Sequence, residues 1–259
     1  MSKVTDVEVD AAWFEQYDRG CFYAAFHQGL APIALRLAAA GIPFAIDQTG
    51  GYCMTIGVYL TSDREHWIWV NNPAECAEPG TPVDDLRWYA ARYYPEHDDY
   101  PEHWAALVEG GTTEHVTAAI ADRVRALRTA GAHPKVRDTE TLFRDAYTAG
   151  LAPMALALAT MRVPFTVERV VGLGLRVPLT ADTCLHVFAA ADQTDEDDPD
   201  ALRWNILLCP EDEDPDEGFN DDAEVRLVDV DDVLGDALTT WDALAAIGAA
   251  QETVKTDAA

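Results

Sequence analysis

The chain has 259 residues, of which 49% are apolar and 25% are charged. This is the composition of a globular protein that is long enough for one large core or two small ones. The net charge of −28, from 46 acidic and 18 basic residues, excludes direct binding to nucleic acid or to an anionic membrane, because neutralising phosphates requires Lys and Arg.

The chain begins with a polar stretch, 1–10, which we expect to be a flexible tail. Apolar residues then recur at steps of three and four over 11–28, which predicts a helix. Gly29 ends that helix. A second helix follows from Pro32, which suits a first helical turn, to Gly41, which suits the position after a helix.

Four strands are predicted next, over 44–48, 54–60, 66–71 and 86–94. Strict alternation of apolar residues in the second of them indicates a half-buried strand. The aromatic and acidic stretch 95–111 is interpreted as a loop, and a final helix is predicted from Thr112 or Thr113.

The same order of elements then recurs. The sequence Gly-Leu-Ala-Pro-Ile-Ala-Leu at 29–35 returns as Gly-Leu-Ala-Pro-Met-Ala-Leu at 150–156, which is 121 positions later. Leu-Arg-Trp at 86–88 returns at 202–204, and smaller matches bring the offset down to 117. We therefore predict repeat A over 11–131, repeat B over 132–250 and a flexible C-terminal tail over 251–259.

Repeat B carries its own local predictions. Its helix pair lies over 139–161, and Pro178 predicts that the second strand is an edge strand or contains a bulge. Residues 224–228 are a candidate short strand. The last helix is predicted to begin after a cap near Asp231, with Leu238 and Leu244 among the residues on its apolar face.

These elements predict an α+β fold that is a tandem duplication of a two-layer sandwich. Each unit has two helices, a four-stranded antiparallel sheet and a third helix. We expect pseudo-two-fold packing, as in a fused dimer, so that the protein is a monomer with pseudo-dimeric repeats or a homodimer.

Location follows from what the chain lacks. No apolar run reaches the length of about 18 residues that a membrane span needs, and no signal peptide pattern opens the sequence. The five cysteines form no C-x-x-C pair. We expect a cytoplasmic protein with reduced thiols and no membrane association.

Two matched pairs are candidates for functional residues. Arg87-Trp88 and Arg203-Trp204 are interpreted either as ligand or partner contacts or, in the favoured interpretation, as a core Trp with an Arg on the opposite face. His66 and His186, which follow Asp63 and Asp182, are candidates for acid/base pairs, but no nucleophile accompanies them in both copies.

Metal sites are weakly indicated. Cys184 and His186 with Cys209 match no standard zinc spacing, nor do His97 and His103 with Cys76. The acidic runs lack the spacing of a calcium-binding loop. We expect no catalytic residue, no metal and no cofactor.

Trp67 and Trp69 fall on one face of the third strand, opposite Ile68 and Val70. Their counterparts in repeat B are taken as Val187 and Ala189. Paired Trp side chains on an open sheet face indicate an interface, either between the two repeats, which is favoured, or with another protein.

Acidic residues are concentrated in one stretch. About 19 acids against two arginines lie between Asp192 and Asp236, so more than half of the net charge is there. The candidate partner-binding residues, from this stretch and the aromatic and Arg positions, are Trp67, Trp69, Arg87, Arg203, Asp212, Glu213, Asp214, Asp216 and Glu217.

The favoured function is a non-enzymatic acidic interaction module, an adaptor, inhibitor or chaperone-like protein that binds a basic protein partner. One alternative is a DNA mimic that inhibits a DNA-binding protein, although acids in Pro- and Gly-containing loops fit a rigid mimic poorly. The other is an enzyme with a site between the repeats, using Asp63, His66, Tyr89 or Arg92.

Overall fold

The computed structural model describes residues 11–50, 53–59, 67–71, 82, 84–93, 104–128, 140–169, 173–180, 183–190, 198–210 and 237–257. Within these ranges the fold is mixed α and β, with six helices and two antiparallel five-stranded sheets. The helices are α1 (Ala11–His27), α2 (Ala31–Ala39), α3 (Thr113–Arg128), α4 (Glu140–Thr148), α5 (Ala152–Thr160) and α6 (Thr240–Asp257).

Each sheet is a meander in which sequence neighbours pair. Sheet A contains β1 (Ala45–Gly50), β2 (Cys53–Tyr59), β3 (Trp67–Asn71), β4 (Trp88–Tyr93) and β5 (Trp104–Gly111). Sheet B contains β6 (Thr166–Arg169), β7 (Leu173–Pro178), β8 (Thr183–Ala189), β9 (Arg203–Pro210) and β10 (Leu238–Thr239).

The predicted helix boundaries at the start of each half are confirmed. Gly29 and Gly150 take φ values of 72° and 71° between the paired helices, a conformation that glycine adopts without a Cβ clash. Gly41, at φ 66°, follows α2. Pro32 and Pro153 are the second residues of α2 and α5, within the first turn, where the missing N–H has no intrahelical partner to lose.

The prediction of four strands in each sheet is wrong, because each sheet has a fifth. The stretch 95–111, interpreted as a loop, contains β5, which pairs with β4. Its Gly residues and acidic neighbours hide the strand pattern. In the second half the fifth strand is β10, only two residues long, which pairs with β9.

The last helix of the second half also differs from its prediction. It begins at Thr240 rather than near Asp231, and Leu238 belongs to β10 instead of the helix. It extends to Asp257, into the segment predicted to be a tail. The segment 224–228 lies outside the described residues.

Pro178 shows how a proline fits an interior strand. β7 lies between β6 and β8, and its pairing with both is without a register shift, so the expectation of an edge strand or a bulge is wrong. Pairing with β6 ends at Arg176, and Pro178 is the last residue of β7, opposite Cys184. Pro178, which has no backbone N–H, therefore lies beyond the residues of β7 that pair with β6.

The centre of the molecule is a pair of completely buried helices. All nine residues of α2 and all nine of α5 are buried, and the two helices pack on each other. Apart from Arg36 on α2 and Thr160 on α5, their side chains are apolar, and a helix that is apolar nearly all round is stable only when it is surrounded. The buried apolar side chains form one cluster with members from both halves, so α2 and α5 join the halves through a shared core.

Candidate functional site

The two matched Trp residues are parts of the core. Trp88 and Trp204 are both fully buried. The Trp88 indole Nε1 donates to Thr113 Oγ1 at 2.8 Å, and that of Trp204 donates to Thr240 Oγ1 at 3.0 Å. Each threonine is the first residue of a helix, so each bond ties a sheet to the helix that follows it.

The arginines beside them donate hydrogen bonds to backbone carbonyls of the turn that precedes each strand. Arg87 Nη1 donates to the backbone carbonyls of Asp84 at 2.7 Å and Leu86 at 2.9 Å. Arg203 Nη1 donates in the same way to Asp200 at 2.8 Å and Leu202 at 2.9 Å. Both arginines are exposed.

Trp69 lies on the face of sheet A opposite the helices. Its neighbours Ile68 and Val70 are fully buried in the shared core, as predicted. Trp69 is half-buried and pairs across from Gly57 and Ala91. The main contacts between the halves each include a helix, and the interpretation of Trp69 as an interface residue stays a prediction.

The position that corresponds to Trp69 in sheet B is His186. Val70 pairs with Ile56, and Val187 pairs with Leu175, at the same place in each meander. The residue before each valine therefore corresponds, which replaces the predicted match of Trp69 with Ala189. A shorter connection between β7 and β8 accounts for the shifted offset.

His186 belongs to a polar cluster on the outer face of sheet B that the sequence did not reveal. It is 1% exposed and pairs across from Arg176. A Cβ on Gly174 would lie 2.3 Å from His186 Nε2, so the imidazole lies over the glycine. Beyond it, Arg176 Nε is 3.8 Å from Glu168 Oε2. A glycine inside a strand pattern was the available signal, since it marks a close approach.

The electrostatics of this cluster keep the imidazole neutral. Burial lowers the pKa of His186, and Glu168 opposes that shift more weakly. Neither ring nitrogen makes a hydrogen bond of normal geometry. A cation there would lose its hydration, and Glu168 offsets only part of that cost, which favours the neutral ring.

A second set of polar contacts joins the two halves. Arg36 on α2, 7% exposed, forms a salt bridge of 2.5 Å with Glu140 on α4. Its guanidinium carbon lies 4.8 Å from the centre of the Phe143 ring. The ring and the carboxylate together compensate part of the cost of burying the charge.

Two further contacts are reciprocal. Tyr23 on α1 donates to Asp200 Oδ1 at 2.5 Å, and Arg144 on α4 lies 3.6 Å from Asp84 Oδ1. Each aspartate precedes a Leu-Arg-Trp sequence, and each contact crosses from one half to the other. Partial burial and the bond to Asp200 raise the pKa of the Tyr23 hydroxyl.

Of the residues named for an enzyme site between the repeats, only Tyr89 and Arg92 lie in the described ranges, and they are not brought together. Tyr89 and Arg92 lie on β4, and strand alternation places them on opposite faces. Asp63, His66, His97, His103, Cys76 and Asp182 lie outside the described residues, as do Asp212, Glu213, Asp214, Asp216 and Glu217; for Trp67 only the backbone is described.

Within the described ranges no group of three or more His, Cys, Asp or Glu side chains is placed to hold a metal ion. No helix there has both the length and the apolar character for crossing a membrane. Comparison with protein-family models, curated proteins and solved structures finds no significant match.

Proposed function

We propose that the protein is a non-enzymatic interaction module, made of a duplicated α+β unit, that binds a basic protein partner. The observation that carries the proposal is the charge, 46 acidic against 18 basic residues in one chain. Such a surface attracts cationic partners at long range and repels nucleic acid.

Contacts between matched residues support the duplicated unit. Phe44 and Phe165, 121 positions apart in sequence, meet edge to face with ring centres 6.1 Å apart. Equivalent residues touch each other only beside a two-fold axis. The reciprocal contacts of Tyr23 with Asp200 and of Arg144 with Asp84 fit the same axis.

The shared core gives such a module a rigid scaffold. With α2 and α5 buried between the halves, the two sheets are held in a fixed relation. The half-buried Trp69 and the exposed residues Arg87 and Arg203 lie at the surface of that scaffold. We propose that these residues contribute directional contacts, while the acids at 212–217 supply attraction and a rapid association rate.

The test begins with affinity capture from a lysate of the source organism at low salt, followed by identification and purification of the captured protein. Binding of the purified pair is then measured at low and high salt. A basic partner whose affinity falls as salt rises is the expected result, because screening weakens exposed charge pairs. A partner without basic character, or binding that is insensitive to salt, would contradict the proposal.

Two charge-matched variants locate the interaction. Replacing Asp212, Glu213 and Asp214 by their amides should slow association, whereas the same change of three charges at exposed Glu109, Glu114 and Glu252 should have a smaller effect. Equal effects would show that only total charge matters. Competition by duplex DNA for the same partner would favour the DNA-mimic form of the proposal.

A further inference from the structure

Two cysteines lie directly opposite each other on neighbouring strands of sheet B. Cys184 on β8 and Cys209 on β9 are partners in the strand register. In the same ladder the Ala190 N–H donates to the Arg203 carbonyl at 3.0 Å, so that pair is of the hydrogen-bonded type. Hydrogen-bonded and non-hydrogen-bonded pairs alternate along an antiparallel ladder. Cys184 and Cys209 lie six residues along their strands from that pair, an even number, so they also form a hydrogen-bonded pair.

This placement suits a covalent link. Hydrogen-bonded partners have Cα atoms about 5.5 Å apart, which is within the usual Cα separation of disulfides, about 4.4–6.8 Å. Their Cβ atoms are about 4.5–5.5 Å apart, so closing the bond requires the strand ends to move together by roughly 1 Å. Paired residues direct their side chains to the same face of a sheet. Both residues carry thiols in the structure, and they are 3% and 6% exposed.

The pair lies at the end of the sheet. Cys184 is the second residue of β8, and Cys209 is the last but one of β9. Strand ends open locally at lower free energy than strand centres. Brief opening would therefore expose the thiols without unfolding the core around α2 and α5.

We propose that Cys184 and Cys209 form a reversible cross-strand disulfide by exchange with a low-molecular-weight disulfide such as oxidised glutathione. The thiolate of one cysteine attacks the reagent, forms a mixed disulfide and releases one small thiolate. The second cysteine, as thiolate, attacks the protein sulfur of the mixed disulfide and releases the other. The two protein thiols lose two electrons and two protons, and the reagent is reduced to two thiols.

The link fixes the point at which the chain leaves sheet B. Cys209 and Pro210 precede the acidic stretch that continues to Asp236. A bond between β8 and β9 holds the end of β9 in place, and its reduction lets that end open. The site thus couples the thiol redox state to the strand from which the most acidic part of the chain continues.

The test uses the full chain in two arms. In one arm the folded protein is incubated with oxidised glutathione, and in the other it is refolded from urea in a glutathione redox buffer. Remaining thiols are alkylated, and the protein is digested without reduction for mass spectrometry. The expected product is a linked peptide pair containing Cys184 and Cys209, about 2 Da lighter than the two thiol peptides together.

Excess reduced glutathione should remove the link, Cys53→Ser should leave it unchanged, and Cys209→Ser should abolish it. The proposal is overturned if both cysteines are still alkylated in both arms. It is also overturned if Cys184 links to another cysteine instead, or if the bond resists excess reduced glutathione.

Discussion

Two buried indoles each depend on a single threonine hydroxyl. An unpaired indole N–H in an apolar core costs more free energy than the bond itself contributes, because water is absent as an alternative acceptor. Trp88 and Trp204 avoid this cost through Thr113 and Thr240, which are themselves buried. The Thr240 hydroxyl also donates to the Pro199 carbonyl at 3.1 Å.

Replacing either threonine by valine keeps the shape and removes the acceptor. We expect Thr113→Val to lower the free energy of unfolding by about 1–3 kcal/mol, and Thr240→Val to lower it more, since a second bond is lost. Urea unfolding followed by Trp fluorescence measures both. Thr141→Val, at an exposed position on α4, is the control; a loss there as large as at Thr113 would contradict the explanation.

His186 makes stability depend on pH. Its pKa is lowered in the folded state, so below the unfolded value of about 6.5 the unfolded chain binds more protons. Stability is therefore full above that value and falls as the pH drops through it, with a slope of at most about 1.4 kcal/mol per pH unit. His186→Gln should remove this component between about pH 7.5 and 5.

The measurement is urea unfolding across that pH range for both proteins. His115→Gln, at an exposed position on α3, should keep the wild-type dependence. Parallel curves for wild type and His186→Gln would show that the histidine is not the cause.

At the level of single elements, the pairing of β7 with β8 requires a residue without a side chain at Gly174. A Cβ on Gly174 would meet His186 Nε2 at 2.3 Å and the Val187 carbonyl oxygen at 2.8 Å. Moving the backbone or the fully buried imidazole away from such a Cβ would cost free energy, because the interior is closely packed.

Gly174→Ala should destabilise the fold by about 1–3 kcal/mol, and adding His186→Ala should recover part of the loss. Gly248→Ala on α6, where a Cβ meets nothing within 4 Å, should have the opposite sign, because alanine favours a helix by roughly 1 kcal/mol over glycine. Thermal unfolding measures all three variants. Equal losses at both glycines would contradict the steric account.

Elements with a strong local pattern were predictable from the sequence. The Gly and Pro residues that bound α2 and α5 indicated their limits, and the alternation of Met54, Ile56 and Val58 indicated the face of β2 that enters the shared core. The prediction that β2 is only half-buried is wrong, because Thr55 and Gly57 on its other face are buried too. β5 was missed because Gly110, Gly111 and nearby acids resemble a loop. β10 was missed because two residues carry no period.

The candidate polar cluster was not predictable for a different reason. Glu168, Arg176 and His186 lie on three strands, and only the register brings them to one face. The predicted match of Trp69 with Ala189 and the match with His186 that the strand register gives differ by three residues. Because three is an odd number, the error exchanges the two faces of the strand. Register depends on connection lengths, which sequence periodicity within one strand does not determine.

At the level of the whole molecule, the central helix pair determines which part of the chain can fold alone. Each half contributes one helix with nine buried residues, and that helix is covered mainly by the other half. Separation would expose a continuous apolar surface and leave Arg36 without Glu140. An isolated half should not be stable as a monomer.

We therefore expect 1–131 and 132–259, produced as separate chains, to be unfolded or self-associated when alone and to form a one-to-one complex when mixed. Circular dichroism and light scattering measure folding and mass. Arg36→Ala in the first chain should weaken the complex, because it removes both the salt bridge to Glu140 and the contact with the Phe143 ring across the halves, whereas Arg125→Ala, at an exposed α3 position, should not. If both chains fold as monomers and do not bind each other, the halves are independent domains. The shared core would then not be required for either half to fold.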